Sequence, residues 1–328
     1  MARKTKIGTN ANNRLDGLDG LFNLFGKGGN DLYLIDQASD RVIESANKGI
    51  DTVRIYDVRS YTLPYHVENL TVWETGLTAT FRGNGLDNKL DARFIGFKNL
   101  ASDVKLYGLS GKDNLIASGG DDRLDGGTGG DRMTGGYGND TYIVDNASDR
   151  VLETLRGAST TRDQVLSSVS FTLPTNVEYL TLTGSANRNA TGNSDDNILQ
   201  GNAGANRLTG LLGRDLLDGA GGADTFVFTS IADSDRPSSF NGGDTIRNFR
   251  FSQGDRIDLT AFGTSFTFAG ILNGTDTFSN DAAQIAYNDT FNVILIKIAA
   301  GSDFGARGEM IIRLQGNIET PTLDWFVF

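Results

Sequence analysis

Aspartate residues in the middle of the chain recur every nine positions, a spacing that could build a metal site. Asp113, Asp122, Asp131 and Asp140 each occupy the sixth position of a nine-residue segment. Calcium is a hard cation that takes about six to eight oxygen ligands, from carboxylates and from backbone carbonyls. The glycines that precede these aspartates allow tight turns, so several carbonyls can converge on one ion. The pattern therefore indicates calcium chemistry.

These aspartates belong to a repeat of the form G-G-x-G-x-D-x-U-x, in which U is large and apolar. Two complete copies occupy 126–134 and 135–143. Complete and degenerate copies together form four blocks: 8–34, 83–91, 108–143 and 192–227. The eighth position is apolar or aromatic in every copy, which predicts inward-pointing side chains: Leu15, Leu24, Tyr33, Leu90, Leu115, Leu124, Met133, Tyr142, Leu199, Leu208, Leu217 and Phe226. Each copy therefore predicts a glycine turn followed by a very short strand.

The candidate ligands follow if each turn of the fold holds two copies. Ligands then pair 18 residues apart, as Asp113 with Asp131 and Asp122 with Asp140. The glycines of the complete copies are further candidates through their backbone carbonyls: Gly127, Gly129, Gly136 and Gly138. Block 108–143 thus contains two complete pairs of carboxylates.

The other blocks are poorer in carboxylates. The pairs there are Asn197 with Asp215, Asn206 with Asp224, and Asn13 with Asp31. An amide contributes an oxygen but no charge, so we expect the strongest binding in the middle block. The alternative is that the aspartates serve only as turn residues. We favour calcium for block 108–143 and a turn role for block 8–34, and both interpretations stay open for block 192–227.

A second, longer repeat lies between the blocks. Residues 30–44 match residues 139–153 at an offset of 109. The stretches that follow alternate apolar and polar residues, which is typical of half-buried strands. We therefore predict an all-β chain: a duplicated parallel β-solenoid over 1–228, strand-rich connectors at 35–82 and 144–191, and a β-rich cap over 229–328.

Composition excludes several classes of function. The net charge of −11 disfavours a nucleic-acid partner. The absence of cysteine excludes disulfide scaffolds, thiolate zinc sites and cysteine nucleophiles. No run approaches the ~18 apolar residues of a membrane span, and the first residues lack the apolar stretch of a signal peptide. The single histidine, His66, has no partner at a recognisable spacing, so we predict no catalytic residues.

The chain closely resembles the C-terminal region of serralysin-type secreted metalloproteases in three segments: 221–228, 243–246 and 255–259. The whole chain resembles RTX (repeats-in-toxin) calcium-binding proteins, for which the nonapeptide is typical. The resemblance implies a parallel β-roll, calcium between successive turns, and type I export directed by the extreme C-terminus. Residues 323–328 are similar to the acidic-then-apolar ending of such exported proteins. The chain lacks the H-E-x-x-H motif of those proteases, so we expect no protease domain.

We therefore expect a non-catalytic protein that is secreted without an N-terminal signal peptide and folds on calcium binding. Its role would lie at the cell surface, in a matrix or in adhesion. Its partners would be calcium ions and the type I secretion machinery, with cell-surface polysaccharide and self-assembly left open.

Two alternative functions remain. One is an enzyme on extracellular polysaccharide, or an accessory module of a secreted hydrolase, since glycoside chemistry needs only two carboxylates. The other is a membrane-active toxin or bacteriocin, which the lack of amphipathic helices disfavours.

Overall fold

The structure is a computed structural model. It describes residues 3–46, 48–74, 78–93, 103–153, 162–234, 243–263, 266–272, 283–288, 292–297, 309–316 and 322–328. Two compact units divide the chain, Met1–Val165 and Leu166–Phe328. The predicted all-β parallel solenoid is confirmed. The predicted division of the chain after residue 228 stays a prediction.

Short strands form because each apolar residue of the repeat is flanked by polar ones. The strand Arg123–Asp125 is representative, since Leu124 is fully buried and both neighbours are half-buried. Successive side chains of a strand point to opposite faces, so a three-residue strand directs its central side chain into the core. All twelve residues predicted to point inward are buried, which confirms the repeat frame.

The strands of the first unit are, in chain order, β1 (Lys4–Ile7), β2 (Arg14–Asp16), β3 (Phe22–Phe25), β4 (Leu32–Ile35), β5 (Arg41–Ile43), β6 (Thr52–Tyr56), β7 (Ser60–Thr62), β8 (Asn69–Glu74), β9 (Ala79–Arg82), β10 (Lys89–Asp91), β11 (Val104–Tyr107), β12 (Asn114–Ile116), β13 (Arg123–Asp125), β14 (Arg132–Thr134), β15 (Thr141–Val144) and β16 (Arg150–Leu152). Strand β17 (Gln164–Ser167) spans the boundary between the units. The predicted connector 35–82 supplies strands β5 to β9, and the pairing of β6 with β8 shifts in register between Ile55 and Tyr56.

Consecutive strands of the first unit lie in different parallel sheets. The even-numbered strands β2 to β16 form one sheet, β1, β3 and β5 form a second, and β7, β9, β11, β13 and β15 are neighbours in a third. The chain therefore winds as a solenoid. Where the turn has 18 residues, the register pairs Leu15 with Tyr33 and Leu124 with Tyr142. Equivalent repeat positions consequently stack on one another along the solenoid.

The strands of the second unit are β18 (Phe171–Thr172), β19 (Tyr179–Leu182), β20 (Asn189–Thr191), β21 (Ile198–Gln200), β22 (Arg207–Thr209), β23 (Leu216–Asp218), β24 (Thr225–Val227), β25 (Asp244–Arg247), β26 (Arg256–Asp258), β27 (Thr267–Leu272), β28 (Gln284–Asn288), β29 (Val293–Lys297), β30 (Glu309–Gln315) and β31 (Phe326–Val327). The 3-10 helices in the described part of the chain are Ile231–Ser234, Phe251–Gln253, Thr260–Phe262 and Leu323–Trp325. None of them is long and apolar enough to cross a membrane.

The second unit contains two sets of parallel strands and, after them, a group of antiparallel strands. Strands β18, β20, β22, β24, β26 and β31 form one parallel sheet, and β19, β21, β23, β25 and β30 are parallel neighbours in another. Strands β30, β29 and β28 then pair antiparallel. Aromatic side chains pack together in this unit, with the ring centroids of Phe249 and Trp325 4.8 Å apart and those of Phe226 and Phe249 6.0 Å apart. Trp325 and Phe326 are buried, so these two residues are part of the core of this unit.

The single file of inward side chains predicts a large effect of one truncation. Leu124→Ala should lower the free energy of unfolding by about 2–5 kcal/mol, because the narrow core cannot close over the cavity. Urea unfolding in saturating calcium measures this change. Leu86, which is 37% exposed in the same unit, provides the control. Leu86→Ala should change stability by less than about 0.5 kcal/mol. Equal effects of the two substitutions would contradict the assignment of Leu124 to the core.

Candidate metal sites

The predicted aspartate pairs of the middle block are brought together by a regular hydrogen bond. Oδ1 of Asp131 accepts the backbone N–H of Asp113 at 2.8 Å. Oδ1 of Asp140 accepts the backbone N–H of Asp122 at 2.9 Å. In each case the side chain reaches back 18 residues to the preceding turn. We call this series of bonds between stacked turns the carboxylate ladder.

The second oxygen of each of these carboxylates is buried without a donor. Oδ2 has no hydrogen-bond partner among the described residues in Asp113, Asp122, Asp131 and Asp140. The four residues are at most 2% exposed. Burying an ionised carboxylate without a partner is costly, so such a group takes up a proton or contacts a cation. The ladder therefore leaves a row of oxygens that a metal ion could use.

The predicted glycines bring backbone carbonyls into the same region. Gly127, Gly129, Gly136 and Gly138 have φ angles of 78°, 149°, 114° and 120°, which only glycine adopts readily. A methyl group on Gly129 would overlap with the carbonyl oxygen of Gly111, and one on Gly138 with that of Gly120. A methyl group on Gly126 would overlap with Oδ2 of Asp131. Adjacent turns thus approach so closely that carbonyl and carboxylate oxygens gather, an all-oxygen environment that suits calcium.

The electrostatics of the ladder agree with this geometry. Burial raises the pKa of the four carboxyls to about 7 for Asp113, about 8 for Asp122, about 6 for Asp131 and about 9 for Asp140. For Asp140 the charge of Asp122 raises the pKa further. The charged forms are unfavourable in the metal-free interior, and a bound cation would remove that penalty.

Block 192–227 repeats the ladder with a different partner. Oδ1 of Asp215 accepts the N–H of Asn197 at 2.7 Å, and burial raises the pKa of Asp215 to about 8. The amide oxygen of Asn197, however, already accepts the N–H of Asn193 at 2.6 Å. The pair formed by Asp224 and Asn206 has the same arrangement. The structure thus brings both predicted pairs together, with one carboxylate in each.

The N-terminal block contains one ladder pair of this mixed kind. Oδ1 of Asp31 accepts the N–H of Asn13 at 2.6 Å. The amide oxygen of Asn13 accepts the N–H of Thr9 at 2.6 Å. Oδ2 of Asp31 is buried and has no hydrogen-bond partner in the part of the chain that the structure describes. The geometry of Asp31 therefore matches that of the middle-block aspartates.

Comparison with protein families agrees with the fold and with the ladder. The family described as peptidase M10 serralysin C terminal matches residues 67–327. The chain belongs to this family. The matched region is the C-terminal domain of these peptidases and does not include their catalytic domain. Serralysin-type proteins are secreted, and their C-terminal repeats bind calcium. A search of curated proteins found no match.

In this member of the serralysin C-terminal family, the ladder extends beyond the nonapeptides. Oδ1 of Asp149 accepts the N–H of Asp131, and Oδ1 of Asp163 accepts that of Asp140. The aspartates that sequence reasoning missed are Asp40, Asp51, Asp149, Asp163, Asp244 and Asp255. Each stands two residues before a buried apolar residue, without the preceding G-G-x-G. The shorter signal D-x-U at a strand start would have found them.

The raised pKa values predict how the stability of the metal-free chain depends on pH. Folding raises the pKa of Asp131, Asp122 and Asp140 from 3.8 to about 6, 8 and 9. Between pH 3.8 and about pH 9, the folded chain therefore binds more protons than the unfolded chain. The stability of the folded chain consequently falls as pH rises through this range. In chelator, far-UV circular dichroism should therefore show the β-folded fraction decreasing from pH 5 to about pH 9.

Saturating calcium provides the control for this pH dependence, because the ion replaces the protons on the same oxygens. With calcium bound, stability should no longer fall over that range. A metal-free chain whose stability rises with pH would contradict the burial of these carboxylates.

Proposed function

We propose that the chain is a non-catalytic, secreted calcium-binding β-roll that folds on calcium outside the cell and serves a surface, matrix or adhesion role. One observation carries the proposal. Buried Oδ2 atoms without hydrogen-bond partners in the described residues recur along the carboxylate ladder, beside glycine turns packed against carbonyl oxygens. The family supports calcium and secretion, and the surface role is our inference from both.

The ladder explains why binding would be coupled to folding. In the unfolded chain, Asp113 and Asp131 are separated by a flexible loop and form no site. In the folded chain they stack in adjacent turns, and the charge of Asp131 raises the pKa of Asp113 further. Calcium would offset this repulsion and bind only the folded form, so its binding free energy would stabilise the fold.

The donor set favours calcium over magnesium. Calcium accepts irregular shells of carboxylate and carbonyl oxygens, whereas magnesium demands near-ideal octahedral geometry and keeps several waters. Extracellular calcium modules bind at about 10⁻⁴ to 10⁻³ M. That affinity would leave the chain without ions in a low-calcium cytosol and load it after export.

Calcium should convert the full-length, chelator-stripped chain from coil to β structure in far-UV circular dichroism, with a midpoint at about 10⁻⁴ to 10⁻³ M. Asp131→Asn should raise that midpoint, because it removes one complete carboxylate from a middle-block pair. Asp57→Asn is the matched control, since Asp57 is exposed at a turn with a φ of 50° that asparagine also adopts. A β spectrum that is already present before calcium is added would refute the proposal. An equal response to magnesium would also refute it.

The last residues support the export part of the proposal. Residues 323–328 have the acidic-then-apolar character of type I signals, and β31 pairs in parallel with β26. Trp325 and Phe326 are buried, whereas Asp324 and Val327 are exposed. A secretion machine would read this segment before folding, and calcium would fold it into the core afterwards. Substitutions at the exposed positions can therefore test the role in export without changing the role in the core.

The double substitution Asp324→Ala with Val327→Ala should reduce export from a type I-competent host while the purified protein keeps its calcium-induced fold. Both side chains are exposed, so the core around Trp325 is left intact. Extracellular and cellular protein are compared by immunoblot, with Asp57→Asn as the control for expression. Export equal to that of the unmodified chain would remove residues 323–328 as the signal.

A further inference from the structure

Three carboxylates from separate segments meet at the end of the middle block. One oxygen each from Asp140, Glu153 and Asp163 lie within 4.8 Å of one another, and all three residues are buried. Two oxygens on opposite sides of a calcium ion, each at about 2.4 Å, stand about 4.8 Å apart. One ion could therefore contact all three carboxylates. We call these residues the second triad.

The same arrangement occurs at the end of the N-terminal block. Asp31, Glu44 and Asp51 also bring one oxygen each within 4.8 Å of one another, and we call them the first triad. Asp31 and Glu44 lie 109 residues before Asp140 and Glu153, the offset of the internal duplication. Among the described residues no third such cluster occurs. Block 192–227, which ends on Phe226, thus differs from the other two.

The third member of each triad occupies the ladder position that a further nonapeptide would have supplied. Oδ1 of Asp163 accepts the N–H of Asp140 at 2.8 Å, and Oδ1 of Asp51 accepts that of Asp31 at 2.7 Å. Asp163 immediately precedes β17, as Asp131 precedes β14. The glutamate is then the additional carboxylate, which the nonapeptide consensus does not contain.

An unsatisfied buried oxygen points into each triad. Asp140 is 1% exposed and Asp31 2% exposed, and Oδ2 of each lacks a hydrogen-bond partner within the described ranges. A methyl group on Gly26 would overlap with Oδ2 of Asp31, Oε1 of Glu44 and the hydroxyl of Tyr33. These oxygens therefore surround one point.

A tyrosine holds the glutamate in place. The hydroxyl of Tyr142 donates to Oε2 of Glu153 at 2.5 Å and accepts the N–H of Gly135 at 2.9 Å. The hydroxyl of Tyr33 likewise donates to Glu44. Both tyrosines are eighth-position residues, where other copies carry leucine, methionine or phenylalanine and have no hydroxyl to offer. A carboxylate oxygen that accepts this bond keeps a lone pair for a metal ion.

We propose that each triad is a separate calcium site that terminates its block and binds more tightly than the ladder sites between nonapeptides. The inference deepens the proposed calcium function and rests on it. Calcium affinity increases with the number of charged ligands, and each triad offers three carboxylates at one point. The N-terminal block, which has few ladder carboxylates, would then hold one of the two strongest sites.

Calcium titration calorimetry on the full, chelator-stripped chain tests this inference. The unmodified chain should show two sites that bind at least about tenfold more tightly than the remainder. Glu153→Gln should remove one tight site, and Glu44→Gln with Glu153→Gln should remove both. Asp131→Asn is the matched ladder variant, because Asp131 belongs to neither triad. It should weaken the looser class and leave both tight sites unchanged.

The outcomes separate the two proposals. No calcium binding by the unmodified chain would overturn both. Unchanged titration of the double glutamine variant, with a site lost in Asp131→Asn, would overturn the triads and leave the ladder standing. If the glutamine variants do not fold, Tyr33→Phe with Tyr142→Phe decides, because it keeps the aromatic core and all three carboxylates and removes the hydroxyls that bond to the glutamates. Weakened tight sites in that variant support the triads, and unchanged affinities overturn them.

Discussion

When Asp131 accepts the N–H of Asp113 through Oδ1, its Oδ2 is carried into the interior between two turns, where the described residues offer it no donor. The same bond fixes the spacing of the turns, because it joins a side chain to a backbone group 18 residues earlier. The interaction that aligns the solenoid thus also creates its electrostatic penalty. Stacking and charge cannot be separated in this fold.

The apolar core is so narrow that the electrostatic penalty of the buried carboxylates matters for folding. Each strand around Leu124 contributes one fully inward side chain, so each turn buries little more than two large residues. Burying such a side chain contributes about 1.5–3 kcal/mol. Moving several carboxylates to a pKa of about 6 to 9 opposes folding on a similar scale near neutral pH. A cation that binds only the folded chain can therefore decide whether the solenoid forms.

The period of nine made much of this predictable. It identified the inward residues, and the pairing of Asp113 with Asp131 followed from two copies per turn. The period failed where turns have unequal length. Oδ1 of Asp163 accepts the N–H of Asp140 although Asp163 lies 23 residues later in the chain, so no fixed spacing would have connected the two residues. The contact of Phe249 with Trp325 depends on chain segments distant in sequence, which a local pattern does not encode.

The block ends show why a glutamate appears where it does. On the proposed function, a calcium site between two nonapeptides would draw carbonyl oxygens from the glycine turns on both sides, as the close approach of Gly129 to the carbonyl oxygen of Gly111 illustrates. At Asp140 the next turn of the solenoid enters through Asp163, which no glycine run precedes in the sequence. Glu153, held by Tyr142, places carboxylate oxygens there instead. On this view Tyr142, Glu153 and Asp163 act together to form the last calcium site of the block. The tyrosine and the glutamate recur at the offset of 109, so both block ends carry them.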